Sequence, residues 1–479
     1  MTTEAAARRR PAWLILLVVV STQMIIGLDA TVVNVALPRI RSALHFSTSS
    51  LSWVFDAYTL AFAGLLLLGG RSGDIFGRRR VLAAGIALFT VASVVASLAV
   101  APWMLLAARA TQGVGAAFAG PGTLSMITIT YPEGPARNKA LSIFSMAISS
   151  AFAVGLLLGG ALTDAFGWRA VFFITVPLGA LMMFAIPTVL PETERHPGHL
   201  DVRAALLSTF AIGGLAFAFI HASEHGWTGA GTIGPLIGGL ALLALFFVGE
   251  RRSDQPLLPL EVFADRNRAV AYACMAFFPA GNLGMIFFLT QYFQRVRDYS
   301  PLHTGIAFLP MALVMGSMTR ITPRLLARFG VRPPVLVGGS FIAIALLLLS
   351  RLQIDSDYWS GTFPSMVLLG FGLGSVFLPL NTVILSGVPS RVAGVAAGTL
   401  QVMQNVGVTL GIAIFVTIYG AIGVGSGDAA GIVHATRLTF LFGAAFPLVG
   451  LTLSATLLRV PKPTAVPVEA VTAAAAEPA

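Results

Sequence analysis

The sequence contains few charged residues. Asp, Glu, Lys and Arg make up 10% of its 479 residues, whereas hydrophobic residues make up 56% and the mean hydropathy is +0.85. A soluble globular domain carries about 25% charged residues. The composition therefore excludes a soluble multidomain protein. Since one bilayer crossing takes roughly 20 apolar residues, it predicts an all-α polytopic membrane protein.

Cysteine and lysine are also scarce. Cys274 is the single cysteine, which excludes an intrachain disulfide and a cysteine metal cage. The two lysines are Lys139 and Lys462, and neither follows the glycine-rich loop of a Walker-type ATP site. We therefore expect no ATP hydrolysis by this chain, no enzyme activity and no bound cofactor.

Two features that suggest other functions are discounted. His221-Ala222-Ser223-Glu224-His225 matches an inverted zinc-protease pattern, but it lies at the end of an apolar stretch and has no evident third ligand. The formal net charge is +10, but the basic residues are spread through short loops, which is typical of membrane topology rather than of a phosphate-binding face. We expect neither a metal site nor a nucleic-acid partner.

Apolar stretches of spanning length occur fourteen times. Arg8, Arg9 and Arg10 before the first one resemble the start of a signal peptide, but the apolar run is too long and lacks a convincing cleavage site. We therefore count it as the first span. The predicted spans cover residues 13–36, 51–69, 81–99, 103–128, 139–162, 168–190, 203–221, 232–249, 269–292, 303–319, 333–350, 362–385, 393–419 and 436–458.

The basic residues predict the orientation of these spans. With the N-terminus inside, the cytoplasmic segments hold 22 of the 30 Lys and Arg residues, and the external loops hold 7. Basic residues concentrate on the cytoplasmic side of membrane proteins, so we expect both termini in the cytoplasm. The preference for Arg over Lys, 28 to 2, is typical of a GC-rich bacterial genome. We therefore expect a bacterial plasma membrane.

Three charged residues, Asp29, Asp56 and Arg109, lie inside the predicted spans, and the other 47 of 50 lie in loops or at span ends. A charge in hydrocarbon costs about 2.5–3.5 kcal/mol on insertion scales, so it indicates a functional site by default. All three lie at a similar depth towards the external side, on spans 1, 2 and 4. We predict that they form a cluster of net charge −1, which one proton would neutralise.

Two interpretations of these three residues remain open. In the first, Asp29, Asp56 and Arg109 load and release a proton, which is then the coupling ion of a transport reaction. In the second, Arg109 forms a structural ion pair with one aspartate and holds spans 1 and 4 together, while Asp56 faces a water-filled vestibule.

A segment rich in glycine and arginine joins predicted spans 2 and 3. It reads Gly69-Gly70-Arg71-Ser72-Gly73-Asp74-Ile75-Phe76-Gly77-Arg78-Arg79-Arg80. Its glycines allow helix ends to approach closely, and its aspartate can accept charge-assisted hydrogen bonds from the arginines. The segment resembles the cytoplasmic loop signature of the major facilitator superfamily. We predict a gating loop that consists of Gly70, Arg71, Gly73, Asp74, Gly77, Arg78 and Arg79.

Further segments resemble the fourteen-span drug:proton antiporter branch of that superfamily, and the resemblance covers nearly the whole chain. In that branch the span-1 Asp and the span-4 Arg are linked to proton coupling, which implies this role for Asp29 and Arg109. The segments are Leu28-Asp29-Ala30-Thr31-Val32-Val33-Asn34-Val35-Ala36-Leu37-Pro38 in span 1, Arg109-Ala110-Thr111-Gln112-Gly113-Val114-Gly115-Ala116-Ala117 in span 4, and Gly167-Trp168-Arg169 at the start of span 6.

The resemblance implies a major facilitator fold of 14 transmembrane helices, with two six-helix bundles and two extra central helices. We expect the protein to act as a monomer in the lipid bilayer. The implied segments are a cytoplasmic N-terminus (1–12), an N-terminal bundle (13–190), a linker with two additional spans (191–268), a C-terminal bundle (269–458) and a disordered cytoplasmic tail (459–479).

Span 5 departs from that branch. It reads Gly155-Leu156-Leu157-Leu158-Gly159-Gly160, with Leu156 where the branch has a proline. The proline kink is therefore missing, although Gly155 and Gly159 still provide a small-x-x-x-small packing face. The departure keeps an importer or symporter open as an alternative to an antiporter.

Predicted spans 7–14 contain amides interleaved with Phe and Met, and no acidic residue. A cavity with apolar walls and a few hydrogen-bonding groups suits an amphiphilic or neutral organic molecule, although membrane amides also join helices to one another. The candidate substrate-binding residues across both halves are Asn34, Gln112, Asn282, Gln291, Asn381, Gln401 and Asn405.

These patterns together predict proton-coupled export of small amphiphilic organic compounds, of the drug or antibiotic type, by alternating access. One alternative is a proton-coupled symporter or importer of a small metabolite. Another is a membrane-embedded sensor or enzyme, which would need a soluble output domain or a convincing catalytic cluster. The sequence contains neither.

Overall fold

The computed structural model describes residues 11–47, 49–131, 135–193, 195, 200–253, 256–258, 260–386, 388, 390–422 and 429–459. Most of the predicted N-terminal segment (1–12) and of the predicted tail (459–479) lies outside the described residues. Every regular element within the described ranges is helical. This agrees with the composition, because a backbone segment that crosses hydrocarbon must satisfy its own hydrogen bonds.

Fourteen long helical segments follow one another in the part of the chain that the structure describes. A single turn residue interrupts two of them, Ile174 in the sixth and Ala444 in the fourteenth. The segments are α1 (Ala12–Leu44), α2 (Trp53–Phe76), α3 (Arg78–Ser97), α4 (Pro102–Thr130), α5 (Pro135–Phe166), α6 (Ala170–Val189), α7 (Val202–His225), α8 (Ala230–Arg252), α9 (Arg266–Arg295), α10 (Pro301–Phe329), α11 (Arg332–Leu349), α12 (Phe363–Leu385), α13 (Ser390–Ala421) and α14 (Ala429–Leu457).

Twelve of the described helices are long and apolar enough to cross a membrane, by length and composition. The other two, α4 and α5, contain 29 and 32 residues. At 1.5 Å per residue, both exceed the roughly 30 Å thickness of a bilayer core. The chain is therefore a multi-pass membrane protein, and the total of fourteen crossings stays a prediction.

Several helices extend beyond the apolar stretches that predicted them. The first predicted span stops at residue 36, but α1 continues through Pro38 to Leu44 and ends where His45 adopts a left-handed conformation with φ 56°. Likewise, α10 continues ten residues beyond the predicted span end at residue 319. It stops at Phe329, before Gly330, whose φ is 77°. Hydropathy marks the part of a helix in hydrocarbon, whereas the backbone conformation sets its end.

The predicted gating loop is largely not a loop. Helix α2 extends through Gly70, Gly73 and Asp74 to Phe76, and α3 begins at Arg78. Gly77 is the single residue between them, and its φ of 98° lies in a region that side chains rarely adopt. The expectation of an extended loop was therefore wrong, because glycines at the end of α2 remain helical and Gly77 alone makes the turn.

The helices form two bundles with a helical pair beside them. In the first bundle α4 packs on α2 and α3, and α5 packs on α1; in the second, α9 packs on α13 and α14, and α12 packs on α10 and α11. Helices α7 and α8 pack on each other, and α7 also packs on α2 and α13.

Gly155 and Gly159 of α5 lie against Thr31 and Val32 of α1, which confirms the predicted small-residue packing face of span 5.

Candidate functional site

Asp29 and Arg109 form an ion pair between α1 and α4. Nη1 of Arg109 lies 2.6 Å from Oδ2 of Asp29, and both side chains are fully buried. Charge-assisted hydrogen bonds of this kind are roughly twice as strong as neutral ones. The structure thus brings together two of the three charged residues that the sequence places inside the spans.

Gln112 completes this pair into a network. Its Nε2 donates to Oδ1 of Asp29 at 3.1 Å and to Oγ of Ser93 at 2.8 Å, and its Oε1 accepts from Nη1 of Arg109 at 2.9 Å. Gln112 is fully buried, so in this conformation it positions the ion pair. Its predicted role in substrate binding stays a prediction.

Helix α2 provides further contacts of the Arg109 guanidinium, whose carbon also lies 5.9 Å from the ring centroid of Phe172 in α6. Nε of Arg109 donates to the carbonyl of Val54 at 2.9 Å, and the guanidinium carbon lies 4.5 Å from the ring centroid of Tyr58. An aromatic face attracts a cation at this distance. Within the described residues, Nη2 of Arg109 has no hydrogen-bond partner. The guanidinium therefore contacts side chains or carbonyls of α1, α2, α4 and α6, and the two N–H groups of Nη2 stay available.

Asp56 lies apart from this network, contrary to the predicted three-residue cluster. Successive helical residues are rotated by about 100°, so Asp56 faces away from Val54 and Tyr58, which both face Arg109. Thr59, nearly on the Asp56 face, has its Oγ1 3.1 Å from Oγ1 of Thr409 in α13. Equal depth in the membrane did not imply proximity, because the direction of a side chain around the helix also decides its neighbours.

The carboxyl group of Asp56 is fully buried. Among the described residues, neither of its oxygens has a hydrogen-bond partner. Ser52 lies beside it, but its hydroxyl donates to the carbonyl of Ser49 at 2.9 Å. Burial of an isolated carboxylate is very costly, so a group in such a site is accommodated in its neutral form.

The candidate amides occupy different environments. Asn34 and Gln291 are 3% and 2% exposed and Asn282 is 8% exposed, while Asn381 and Asn405 are partly exposed and Gln401 is exposed. Within the described residues, both amide atoms of Gln291 and the Oδ1 atoms of Asn34, Asn282 and Asn381 lack hydrogen-bond partners. Asn405 donates to the carbonyl of Gln401 at 2.8 Å. The unpartnered amides remain candidates for binding substrate.

At the opposite end of the first bundle, a half-exposed ionic network surrounds Gly77. Nη2 of Arg78 lies 2.9 Å from Oδ1 of Asp74. Glu192, beyond the end of α6, lies 3.4 Å from Nε of Arg79 and 3.3 Å from Nε of Arg80. Two of the predicted gating residues, Asp74 and Arg78, therefore pair within the first bundle.

Contacts between the two bundles are close at the end where α1 finishes and α2 begins, which is the predicted external end. Nε2 of Gln294 in α9 donates to the carbonyl of Val35 in α1 at 2.8 Å. The backbone N–H of Leu302 in α10 donates to Oδ2 of Asp164 in α5 at 2.8 Å. Together with the contact between α2 and α13, these bonds close this end of the molecule.

The sequence also matches a known protein family, and this match agrees with the fold. The profile of the Major Facilitator Superfamily matches residues 19–412. The chain belongs to the major facilitator superfamily.

Two relatives within the superfamily are named for antibiotics. Puromycin resistance protein pur8 of Streptomyces alboniger is 38% identical over 426 residues, which cover 87% of this chain and 84% of that protein. Cephamycin export protein CmcT of Amycolatopsis lactamdurans is 36% identical over 424 residues, covering 88% of this chain and 87% of that protein. Both similarities therefore cover most of this chain and of the relative.

A solved structure supports the superfamily fold. A bacterial homologue of the human drug peptide transporters PepT1 and PepT2 superposes with a TM-score of 0.66, covering 93% of this chain and 98% of that chain. Its sequence is 15% identical, so it supports the fold alone.

Several residues that shape this superfamily member's site were not identified from the sequence. Ser93 and Tyr58 contact the buried network, and Glu192 pairs with two arginines. The position of Glu192 directly after an apolar span could have suggested a partner for the basic segment. Ser93 and Tyr58 carry no such signal, because a hydroxyl or a tyrosine inside an apolar stretch occurs in many packing environments.

The histidine pair at the end of α7 has a packing role in the described part of the molecule. The rings of His221 and His225 stack with centroids 4.1 Å apart. Within the described residues, no group of three or more His, Cys, Asp or Glu side chains is arranged to hold a metal ion.

Proposed function

We propose that this superfamily member exports small amphiphilic organic compounds, of the antibiotic or drug type, by alternating access coupled to proton entry. Asp56 is the observation that carries the proposal. It is a fully buried carboxyl group without a hydrogen-bond partner among the described residues, on a helix that meets the opposite bundle. Relatives named for antibiotic resistance and export support the same direction of transport.

The coupling follows from the cost of burying a charge. When the external end is open, water can reach Asp56 and the ionised form is stable. Closing that end over an ionised, unpaired carboxylate is strongly unfavourable. A proton taken from outside removes this penalty and allows closure, which turns the substrate cavity towards the cytoplasm. Proton binding from outside therefore drives the step that returns the exporter to its loading state. The cycle is completed when that proton leaves to the cytoplasm as substrate binds, so that one proton enters for each outward step.

Asp29 has a different part in this proposal. Its carboxylate is already neutralised by Arg109 at 2.6 Å and oriented by Gln112. A proton on Asp29 would weaken that ion pair and release the guanidinium, which already has one unpartnered nitrogen. We therefore assign the first proton contact to Asp56, and to Asp29 and Arg109 the rearrangement of α1 against α4. A purely structural ion pair is the alternative for the latter two residues.

The substrate contacts belong to the neutral amides in this proposal. Asn34, Asn282, Gln291 and Asn381 have oxygen or nitrogen atoms without partners inside the described structure. A neutral cavity wall with a few donors and acceptors fits an amphiphilic molecule. We further propose a monomer in a bacterial plasma membrane with both termini in the cytoplasm and without enzyme activity.

A proton-coupled importer is the second candidate, and Leu156 favours it. Helix α5 runs unbroken from Pro135 to Phe166, without the proline of the antiporter pattern. The carbonyl of Leu156 lies against Gly305 of α10, so this part of α5 forms a contact between the bundles. The direction of substrate-driven pH change distinguishes the two candidates.

The deciding experiment measures proton movement in vesicles that contain the purified protein, with puromycin, a cephamycin and a panel of unrelated amphiphiles as substrates. We expect substrate to leave its compartment as protons enter it, and Asp56→Asn to abolish this exchange. Asp355→Asn, which changes an exposed acid in a loop, is the matched control and should exchange normally. Proton movement in the same direction as substrate would support the importer. Normal exchange by Asp56→Asn would refute the proposed coupling.

A further inference from the structure

Helix α7, the first of the two extra central helices, lies at the boundary between the two bundles. On one side it contacts α2 of the first bundle, and on the other it contacts α13 of the second. These are the two helices joined by the Thr59 and Thr409 hydroxyls. A change in the distance between α2 and α13 must therefore separate α7 from one of them.

In the contact between α7 and α13, the two helix backbones approach each other closely. Oγ1 of Thr417 in α13 donates to the backbone carbonyl of Phe219 in α7. One turn further, a Cβ at Gly420 would lie 2.7 Å from both the carbonyl oxygen and the Cβ of Ser223. Close backbone approach at small residues and interhelical hydrogen bonds stabilise helix pairs in membranes. This interface offers little room for sliding.

The contact between α7 and α2 is close at Gly64 of α2, where a Cβ would meet Oγ1 of Thr209 in α7 and lie 2.7 Å from its Cβ. From there towards the external end, it depends on the tips of side chains. A Cβ at Gly213 of α7 would lie 2.8 Å from Cδ2 of Leu60. Nearer the external end, the rings of Trp53 and Phe217 lie 6.2 Å apart between centroids, tilted by 45°. Apolar side-chain contacts of this kind separate without breaking a hydrogen bond, and lipid tails can replace them.

We propose that α7 moves with the second bundle and that its interface with α2 parts when the external end opens. In this arrangement the moving unit is α9–α14 together with α7 and α8, and the linker is not a passive connection. The side chains of Trp53, Leu60 and Phe217 then form part of the external closure. The inference rests on the alternating access proposed above.

Two cysteine pairs test which interface moves, in a background in which the buried Cys274 is replaced by alanine. Leu60→Cys with Gly213→Cys joins α7 to α2, and Ser223→Cys with Gly420→Cys joins α7 to α13. Each pair combines a glycine with the neighbour that its Cβ would meet: Cδ2 of Leu60 at 2.8 Å from Gly213, and Cβ of Ser223 at 2.7 Å from Gly420. A third substitution, Thr409→Cys, places a thiol at the buried contact between α2 and α13. It reports opening of the external end by reaction with a membrane-impermeant maleimide added outside cells.

We expect oxidation of the 60–213 pair to abolish both maleimide labelling and export, and reduction to restore them. Oxidation of the 223–420 pair should leave labelling unchanged. The opposite pattern, arrest by both pairs, or arrest by neither would overturn the proposal. If the reduced proteins export substrate but are never labelled, the external closure is misassigned and the inference fails. If they show neither labelling nor export, alternating access itself is refuted, and the proposed function fails with it.

Discussion

The two bundles differ in the kind of polarity that they bury. The first holds an ion pair, Asp29 with Arg109, and the unpaired acid Asp56. The central helix α9 of the second holds neutral amides, Asn282 and Gln291. Buried charge requires a partner or a proton, whereas an amide requires only a hydrogen bond. Under the proposed function, the charged groups that respond to protons lie in the first bundle, whereas the amides that contact the transported molecule lie in both, since Asn34 belongs to α1.

Within the first bundle, the two acids make a second comparison. Asp29 accepts from Arg109 and Gln112, so its charge is compensated while the external end is closed. Asp56 has no such compensation within the described structure. The conformational equilibrium should therefore depend on the protonation of Asp56 more strongly than on that of Asp29.

The largest expected effect comes from removing one partner of the ion pair between Asp29 and Arg109 and leaving the other in place. Arg109→Leu leaves the carboxylate of Asp29 buried without its cation, and removal of one partner from a buried pair costs about 3–5 kcal/mol. We expect a clearly lower melting temperature in detergent and loss of export. The double variant Asp29→Asn with Arg109→Leu should recover much of the stability but not the export. A stable Arg109→Leu protein would contradict the account of the ion pair.

An intermediate effect is expected from removing a neutral amide of the second bundle. Gln291→Leu removes an amide whose atoms have no partner in the described structure, so stability should be unchanged or increased. If the amide binds substrate, its loss removes a hydrogen bond of about 1 kcal/mol, which is roughly a fivefold weaker affinity. Substrate-dependent quenching of intrinsic fluorescence measures this affinity.

The control for this prediction is Gln401→Leu, since Gln401 is an exposed amide in α13 of the same bundle. Affinity that falls for Gln401→Leu but not for Gln291→Leu would move the substrate contacts to α13. A stability loss in Gln291→Leu would show instead that this amide joins helices.

The comparison between bundles also shows which features could be predicted from the sequence. Charge scarcity and hydropathy predict the helices. Equal depth predicts a cluster of Asp29, Asp56 and Arg109, of which the structure forms the Asp29–Arg109 pair. The separation of Asp56 could not be predicted, because the sequence carries no signal that the opposite face of α2, with Tyr58, meets Arg109. The contact of Thr59 with Thr409 of α13 could not be predicted either, since it depends on how the two bundles meet.

The ends of the helices and the position of the linker helix α7 could not be predicted from the sequence either. Hydropathy does not reveal that α2 continues to Phe76, because the polar end of a helix outside hydrocarbon has no apolar pattern. The place of α7 at the boundary between the two bundles depends on fits such as Gly420 against Ser223. A small residue in a membrane helix indicates close packing, but its partner is decided by the tertiary fold.

The smallest expected effect lies in the exposed ionic network around Gly77. The Arg78 and Asp74 side chains are 28% and 36% exposed, and pairs of this kind contribute about 0.3–0.5 kcal/mol. Asp74→Asn should therefore lower the melting temperature only slightly, while Glu192→Gln, which affects contacts with Arg79 and Arg80, should lower it more. Vesicle export rates measured alongside separate stability from gating. A large loss of export in Asp74→Asn with unchanged melting would assign Asp74 to a conformation in which it leaves Arg78 for the second bundle.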